Sequence, residues 1–166
     1  MKYLFYMIPS IPFIIRFIFV CFLKEYLSQI LPETENDRSE IRSYVLTLSG
    51  FSFTALVALS ILEPNIQQNI QFSIYYAFLS FLFYLFALNL QGYKNKRWHD
   101  VLSDTLLESA SLCLILTVIG LLFVSNLNSY FVYGISAFAI IIWLIDFIIR
   151  LNIQINHLSE KDTKNE

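Results

Sequence analysis

The chain has 166 residues, of which 57% are hydrophobic, 17% aromatic and only 14% charged. In soluble domains about a quarter of all residues are charged, so this composition argues against a water-soluble enzyme and indicates a membrane protein. The formal net charge is −2 and the basic residues are spread over several short segments, so nucleic-acid binding is not expected.

The clearest membrane signal is the stretch from Ser109 to Ile145, which has no charged side chain and one polar interruption, at 125–129. A membrane-spanning helix needs about 20 apolar residues, so this stretch predicts two helices joined by a tight turn. Three further apolar segments precede it. The sequence therefore predicts an all-α integral membrane protein, a bundle of four to five transmembrane helices with no soluble domain.

The first apolar segment, from Tyr3 to Leu23, carries Pro9, Pro12 and Arg16 in its middle. It is too long and too interrupted for a cleaved signal peptide. We expect residues 1–24 to form a kinked membrane helix, and a re-entrant or interfacial segment is the alternative.

A charged stretch, residues 25–43, follows as a predicted cytoplasmic loop. Within it, Asp37 and Glu40 resemble a capping box, which places the start of the second helix about two turns before the membrane. The second apolar segment ends at Glu63 and Pro64, since proline cannot continue a helix.

The third segment, Phe72 to Leu90, is crowded with aromatic residues on all sides, so these rings are expected to face lipid and neighbouring helices alike. The fourth and fifth segments run from about 105 to 124 and from 130 to 149. Segments two to five predict a four-helix transmembrane bundle of two hairpins over 44–150. Residues 151–166 form a predicted cytoplasmic tail.

The basic residues predict the orientation, because Lys and Arg in short loops stay on the cytoplasmic side. With five crossings, only Lys2 falls on the outer side and only Arg16 lies in the membrane. We therefore expect a multi-pass protein of the cell (inner) membrane with an external N-terminus and a cytoplasmic C-terminus. The basic residues on the predicted cytoplasmic side are Lys24, Arg38, Arg42, Lys94, Lys96, Arg97, Arg150, Lys161 and Lys164.

Three ionisable residues, Arg16, Glu108 and Asp146, lie within the predicted spans. Each costs roughly 2.5 to 3.5 kcal/mol on insertion scales, so each needs a partner or a wet path. One interpretation is an ion path lined by Glu108 and Asp146, with Arg16 as counter-charge or gate latch. The favoured alternative is a salt bridge that fixes helix packing, since Asp146 also has Arg150 four residues on.

Small residues recur at helical spacing on two of the segments, which places each set on one helix face. In membranes such faces let helices approach closely, so packing within the chain is expected, with a pore lining or a subunit interface as the alternative. Three threonines, Thr47, Thr54 and Thr117, are the pore-lining candidates. The two sets are Thr47, Gly50, Thr54 and Ala58 on segment two, and Ala110, Cys113, Thr117 and Gly120 on segment four.

Further hydroxyls on the second segment, from Ser49, Ser52 and Ser60, make it the best candidate for a water-facing helix. Both cysteines, Cys21 and Cys113, lie in apolar segments and are expected to be small buried hydrophobes.

The chain carries no recognisable catalytic or metal-binding motif. It has neither a zinc-protease helix nor a nucleophile elbow, no paired-cysteine motif and no glycine-rich phosphate loop, and it has only four glycines. His99 and Asp100 are adjacent, but neighbours on a helix point in different directions. We expect no enzyme activity, no cofactor and no metal.

The order of the segments, with Glu108-Ser109-Ala110, then the 125–130 turn and a last span ending near Leu151, resembles RexB-like membrane effectors of phage exclusion. The resemblance implies a channel that depolarises the cell when a cytoplasmic sensor protein signals infection, in abortive infection. This chain has one more apolar segment, the aromatic third.

Five helices of about 10 Å diameter pack solid, so a channel would need several copies. We expect a homo-oligomeric channel or pore-type effector in the lipid bilayer, gated from the cytoplasmic side. The alternatives are a non-catalytic membrane anchor or assembly subunit and a small transporter. Contacts with a cytoplasmic partner are predicted for Arg38, Arg42, Lys94, Lys96 and Arg97.

Overall fold

The computed structural model describes residues 7–22, 35–92, 97–125 and 127–162, and within these ranges it is helical with no β-strand. A 3-10 turn, Ile8–Ser10, leads into the first helix. The all-α fold predicted from composition is confirmed. The helices are α1 (Ile11–Phe22), α2 (Glu35–Ser60), α3 (Pro64–Asn69), α4 (Gln71–Gly92), α5 (Arg97–Val124) and α6 (Ser129–Asp162).

Four helices are long and apolar enough to cross a membrane, which indicates a multi-pass membrane protein. No separate soluble domain is evident in the described part of the chain. The candidate spans are Arg42–Ser60, Gln71–Leu90, Val101–Val124 and Ser129–Arg150. Helix α1 is also apolar, but its 12 residues extend only about 18 Å, against a hydrocarbon core of about 30 Å.

Several helices extend beyond the apolar segments that predicted them. Helix α2 begins at Glu35, two residues before Asp37, and α6 continues to Asp162 through most of the predicted tail. The apolar runs mark the part of a helix that fits the bilayer, whereas its polar ends can continue in water.

The connection between α2 and α4 contains the short helix α3. Pro64 occupies its first turn, where the missing N–H of proline is tolerated. The side-chain amide of Gln67 donates hydrogen bonds to the carbonyls of Ser60 and Leu62, both at 2.7 Å. These bonds satisfy carbonyl groups that the end of α2 leaves without helical partners.

Helix α4 lies between α2 and α5 and packs against both, most extensively against α5. Its buried residues recur at alternating steps of four and three residues, the pattern of a coiled-coil seam. The residues of this seam are Ser73, Ala77, Ser80, Tyr84 and Ala87. Because most of them are small, the two helix backbones can approach closely.

Helix α5 presents a matching seam in the opposite chain direction. Its residues are Ser103, Leu106, Ala110, Cys113 and Thr117, all of them buried. Two hydrogen bonds establish the antiparallel register: Ser80 Oγ donates to the Ala110 carbonyl at 2.9 Å, and Ser103 Oγ donates to the Ala87 carbonyl at 3.3 Å.

Helices α1 to α5 belong to one compact unit, and α6 forms a second unit. At the start of α6, the side-chain oxygen of Asn128 accepts a hydrogen bond from the Tyr130 N–H at 3.0 Å, as an N-cap residue does. Trp143 and Phe147, one turn apart, stack with ring centroids 5.3 Å apart. The hairpin of segments four and five stays a prediction.

Candidate functional site

The most polar feature within the apolar region is an ion pair between Arg16 of α1 and Glu108 of α5. Arg16 Nε donates to one carboxylate oxygen of Glu108 at 3.0 Å, and the Nη2 amino group contacts the other oxygen. Both side chains are almost fully buried, with 3% and 4% of their surface exposed. The structure thus brings together two of the three ionisable residues predicted to lie in the membrane.

The local sequence explains why Arg16 points inward. Pro9, Pro12 and Arg16 follow one another at steps of three and four residues, so they share a face of the N-terminal segment, and all three are buried. This face packs on α5, while the ring of Phe13 meets the ring of Phe83 on α4 with centroids 5.7 Å apart. The arginine is therefore held between apolar contacts.

The depth of the pair makes it energetically important. Glu108 lies seven residues, about 10 Å of helix, after Val101, the start of the α5 candidate span. A charged side chain at the centre of a bilayer costs roughly 2.5 to 3.5 kcal/mol on insertion scales, and two facing opposite charges compensate each other. The fork of an arginine matches a carboxylate in two places, which strengthens the contact and orients it.

The third ionisable residue, Asp146, is paired along its own helix. Arg150 Nε donates to Asp146 Oδ2 at 2.9 Å, and the side chains are 48% and 57% exposed, respectively. This is the i, i+4 pair that the sequence indicated, near the end of the α6 span. An ion path lined jointly by Glu108 and Asp146 stays a prediction.

The small-residue face of α5 is a packing surface. Ala110, Cys113 and Thr117 are buried, and the Thr117 hydroxyl donates to the Cys113 carbonyl of its own helix at 2.9 Å. The Thr117 side chain is therefore enclosed by the helix contact within one chain, and its role as a pore-lining candidate stays a prediction. Gly120 continues this face and lies against Ser73 of α4. Ala110 and Gly120 thus lie in the α4–α5 contact, and Cys113 is buried as expected.

The small-residue face of α2, unlike that of α5, is exposed. Its residues, Thr47, Gly50, Thr54 and Ala58, are all exposed, and a Cβ on Gly50 would meet no atom within 4 Å. Gly50 and Ala58 are therefore not buried among the described residues, and the packing role predicted for them stays a prediction. Helical spacing explains the difference, because Val45, Ser49, Ser52 and Leu59 form the buried face on the other side of α2.

The serines of α2 do not make it a water-facing helix. Of the three serines that suggested such a helix, Ser49 and Ser52 are buried and Ser60 is exposed. The Ser52 hydroxyl lies 3.1 Å from that of Ser80. Because Ser80 uses its own hydrogen on the Ala110 carbonyl, Ser52 is the donor of this bond. A hydrogen-bonded chain therefore joins α2, α4 and α5.

This serine chain and the seam of α4 were not predicted from the sequence. The third segment contains so many aromatic residues that the small residues among them, at steps of four and three, did not suggest a packing face. Tyr84 belongs to the seam, and its hydroxyl lies 3.2 Å from Ser111 Oγ of α5. The aromatic side chains do divide between interior and surface, as expected: Tyr76 and Tyr84 are buried, while Phe78 and Phe86 are exposed.

The predicted contacts with a cytoplasmic partner fall near helix ends. Arg38 lies in the first turn of α2 and Arg97 begins α5, while Arg42 is exposed near the start of the α2 span. Lys94 and Lys96 lie outside the described residues. Their role in binding a partner stays a prediction.

Comparison of the chain with protein-family models, with curated proteins and with solved structures found no match. The resemblance to RexB-like effectors therefore stays a prediction.

Proposed function

We propose that this protein is an oligomeric membrane channel or pore-type effector whose conducting path lies between copies of the chain. The observation that carries the proposal is the outward face of α2, where Thr47, Gly50, Thr54 and Ala58 are small or hydroxyl-bearing yet exposed. A face that meets only lipid has no need of such residues.

The interior of a single chain is unsuited to a hydrated conducting path. In the described residues of the α1 to α5 unit, the contact between α4 and α5 is close enough for Ser80 to reach a backbone carbonyl of the neighbouring helix. The hydroxyls of Ser52, Tyr84 and Ser103 are also bonded between helices. A hydrated path needs polar groups that face open space, and these face one another.

The α2 face has the composition of a helix-association surface. Steps of three and four residues align its members in one narrow groove, and larger exposed side chains, Leu46, Phe51 and Val57 among them, flank it. Grooves of this kind let a second helix approach closely in a bilayer. Thr47 and Thr54 each donate to a carbonyl of their own helix at 2.9 Å, and their oxygens can still accept bonds from water or a partner.

The positions of the basic residues support an orientation with the C-terminus and most of the charge in the cytoplasm, in a cell whose inner membrane holds the protein. We therefore propose that the channel is gated from the cytoplasmic side. A cytoplasmic sensor protein is the proposed partner. A role in abortive infection is supported by the resemblance to RexB-like effectors of phage exclusion.

Reconstitution into liposomes with a potassium gradient and a potential-sensitive dye tests the proposal. We expect protein-dependent dissipation of the gradient and a particle of several copies in mild detergent. Gly50→Leu should reduce both, because its side chain fills the α2 groove. Gly134→Leu is the matched control, since Gly134 is also exposed on a candidate span with no atom within 4 Å of an added Cβ. A strictly monomeric particle without flux would rule the proposal out.

A non-catalytic membrane anchor is the second candidate, and the closed ion pairs favour it. Arg16 pairs with Glu108 between two helices and Asp146 pairs with Arg150 along one helix, and both pairs can serve packing alone. Expression of the wild type and of Glu108→Gln with Asp146→Asn in cells with a membrane-potential dye separates the two candidates. An unchanged potential under every condition, including phage challenge, would favour the anchor.

A further inference from the structure

Helix α6 extends well past its candidate span. The span ends at Arg150, whereas the helix continues over 151–162, which adds about 18 Å of helix. This extension is mostly polar, and its large apolar residues are Leu151, Ile153, Ile155 and Leu158. Burial of apolar surface is strongly favourable in water, whereas lipid is itself as apolar as a leucine side chain. The extension therefore gains from a contact that covers its apolar residues.

Most of these apolar residues continue a heptad pattern that begins inside the span. Isoleucine recurs every seven residues, and a leucine follows each isoleucine by three, which is the pattern of a coiled-coil seam. Ile153 falls outside the pattern. We call the six residues in it the α6 seam: Ile141, Leu144, Ile148, Leu151, Ile155 and Leu158.

Inside the span, the α6 seam is an exposed surface. Ile141, Leu144 and Ile148 are 52%, 43% and 60% exposed. The buried residues of α6 lie at other positions of the helix, Trp143 and Phe147 among them. The part of the seam within the span is therefore open to contact with a further helix.

We propose that the α6 seam binds the α6 seam of a second copy of this chain and forms a parallel two-stranded coiled coil. Isoleucine at the first core position of each heptad, with leucine at the second, favours two strands. Copies of one chain that insert into the same membrane have the same orientation, so their α6 helices run parallel. A two-fold axis along the membrane normal then brings identical seam residues together at the same depth.

The residues that flank the seam in the extension suit a second copy of the chain. Charged residues at the flanking positions of a coiled coil set the choice of partner. Here the flanking residues Asn152, Gln154 and Ser159 are uncharged, so no like charges would face each other between two copies. The next core position after Leu158 is Asp162, the last residue of α6, and the seam ends before it.

This proposal goes beyond the proposed function. The α6 seam is a contact separate from the α2 groove, and it would hold two copies together whether or not a conducting path lies between them.

Disulfide cross-linking of the purified full chain in proteoliposomes tests the contact. Each variant carries one cysteine in a background of Cys21→Ser and Cys113→Ala. All reporters lie beyond the candidate span, so they leave its apolar run intact. The seam reporters are Leu151→Cys, Ile155→Cys and Leu158→Cys, and the controls outside the seam are Ile153→Cys and Asn156→Cys.

The seam reporters should form the disulfide-linked dimer at least about fivefold faster than the two controls, because a disulfide needs Cα atoms within about 7 Å. Equal rates at all positions would show random collision and overturn the proposal. An absence of dimer at the seam positions would also overturn it, since the seam would then be covered by another part of the same chain or by a different protein.

A matched pair of charge substitutions tests the register, with Leu158→Cys as the reporter. Ile155→Asp places two like charges in the seam and should slow the cross-link by about tenfold, whereas Ile153→Asp, two residues away and outside the seam, should leave it within about twofold. Equal effects of the two substitutions would overturn the proposal.

The α2 groove and the α6 seam can be tested separately. Gly50→Leu, which fills the groove, should leave the Leu158→Cys cross-link within about twofold, and so should Gly134→Leu, since leucine in register with Ile141 suits the seam. A conducting particle of several copies with no preference for the seam reporters would overturn this proposal and leave the proposed function standing. Seam-specific cross-links without flux would support the α6 contact and count against the channel.

Discussion

Gly120 of α5 lies directly against the hydroxyl of Ser73 on α4. A methyl group on Gly120 would collide with Ser73 Oγ, whereas it would lie 3.5 Å from Ser73 Cβ, an ordinary contact distance. Ser73 Oγ is buried and has no hydrogen-bond partner among the described residues. The α4–α5 contact is therefore so close at Gly120 that the Ser73 hydroxyl would have to move before a side chain could fit there.

Gly120→Ala is expected to lower the free energy of unfolding by about 1 to 3 kcal/mol, the usual effect of overpacking a close contact. Ser73→Ala should be nearly neutral alone, since the hydroxyl forms no bond that the substitution would remove. The Ser73→Ala, Gly120→Ala double variant should regain most of the loss. Unfolding in mixed micelles, followed by circular dichroism, measures each variant.

Gly50→Ala provides the control for that series. A Cβ at Gly50 would meet nothing within 4 Å, so the substitution should be neutral or slightly stabilising through the better helix propensity of alanine. Equal losses at Gly50 and Gly120 would show that the close contact with Ser73 is not the cause.

Ser80→Ala should destabilise the packing of α4 between its neighbours. The substitution removes the bond to the Ala110 carbonyl and leaves the buried Ser52 without its acceptor. Hydrogen bonds between membrane helices contribute about 0.6 to 2 kcal/mol, so a loss in this range is expected in the same unfolding assay. Ser60→Ala is the matched control, because Ser60 is exposed and its hydroxyl donates to the Val57 carbonyl of its own helix. A neutral Ser80→Ala would contradict the serine chain.

Tyr84 should tolerate the loss of its hydroxyl and not the loss of its ring. In Tyr84→Phe, Ser111 keeps its bond to the Leu107 carbonyl at 2.9 Å, so no polar group is left unsatisfied and the cost should stay below about 1 kcal/mol. Tyr84→Ala removes a ring that packs with Val45 and Ala110, and a cost of about 3 to 5 kcal/mol is expected. Unfolding midpoints in detergent compare the two, and similar losses would contradict this assignment.

Asp146→Asn should have little effect on stability. The carboxylate and its partner Arg150 are about half exposed, and an exposed i, i+4 pair contributes about 0.3 to 0.5 kcal/mol. A loss of more than about 1 kcal/mol would show that Asp146 has a further role in the folded protein. Heat-induced aggregation of purified variants, measured beside Glu108→Gln, detects such a difference.

The membrane helices could be predicted because a bilayer demands long apolar runs, and four such runs are present. The charged residues within them could also be singled out, since each is costly in hydrocarbon. That Arg16 meets Glu108, from 92 residues away, required the fold. The sequence offered a second plausible acid, Asp146, whose partner proved to be Arg150.

Hydropathy by itself determined that this chain is helical and suited to lipid. A run of about 20 apolar residues can satisfy its own backbone hydrogen bonds in a bilayer as a helix, wherever the run occurs in the sequence. Only the tertiary structure decided which helix faces are interior. Thr47, Gly50, Thr54 and Ala58 on α2 match Ala110, Cys113, Thr117 and Gly120 on α5 in spacing and size, yet the first set is exposed and the second is largely buried. The physical reason is that lipid is as apolar as a protein core, so no gradient of hydrophobicity across a helix distinguishes inside from outside. Packing shape and hydrogen bonds such as Ser80 to Ala110 make that distinction instead.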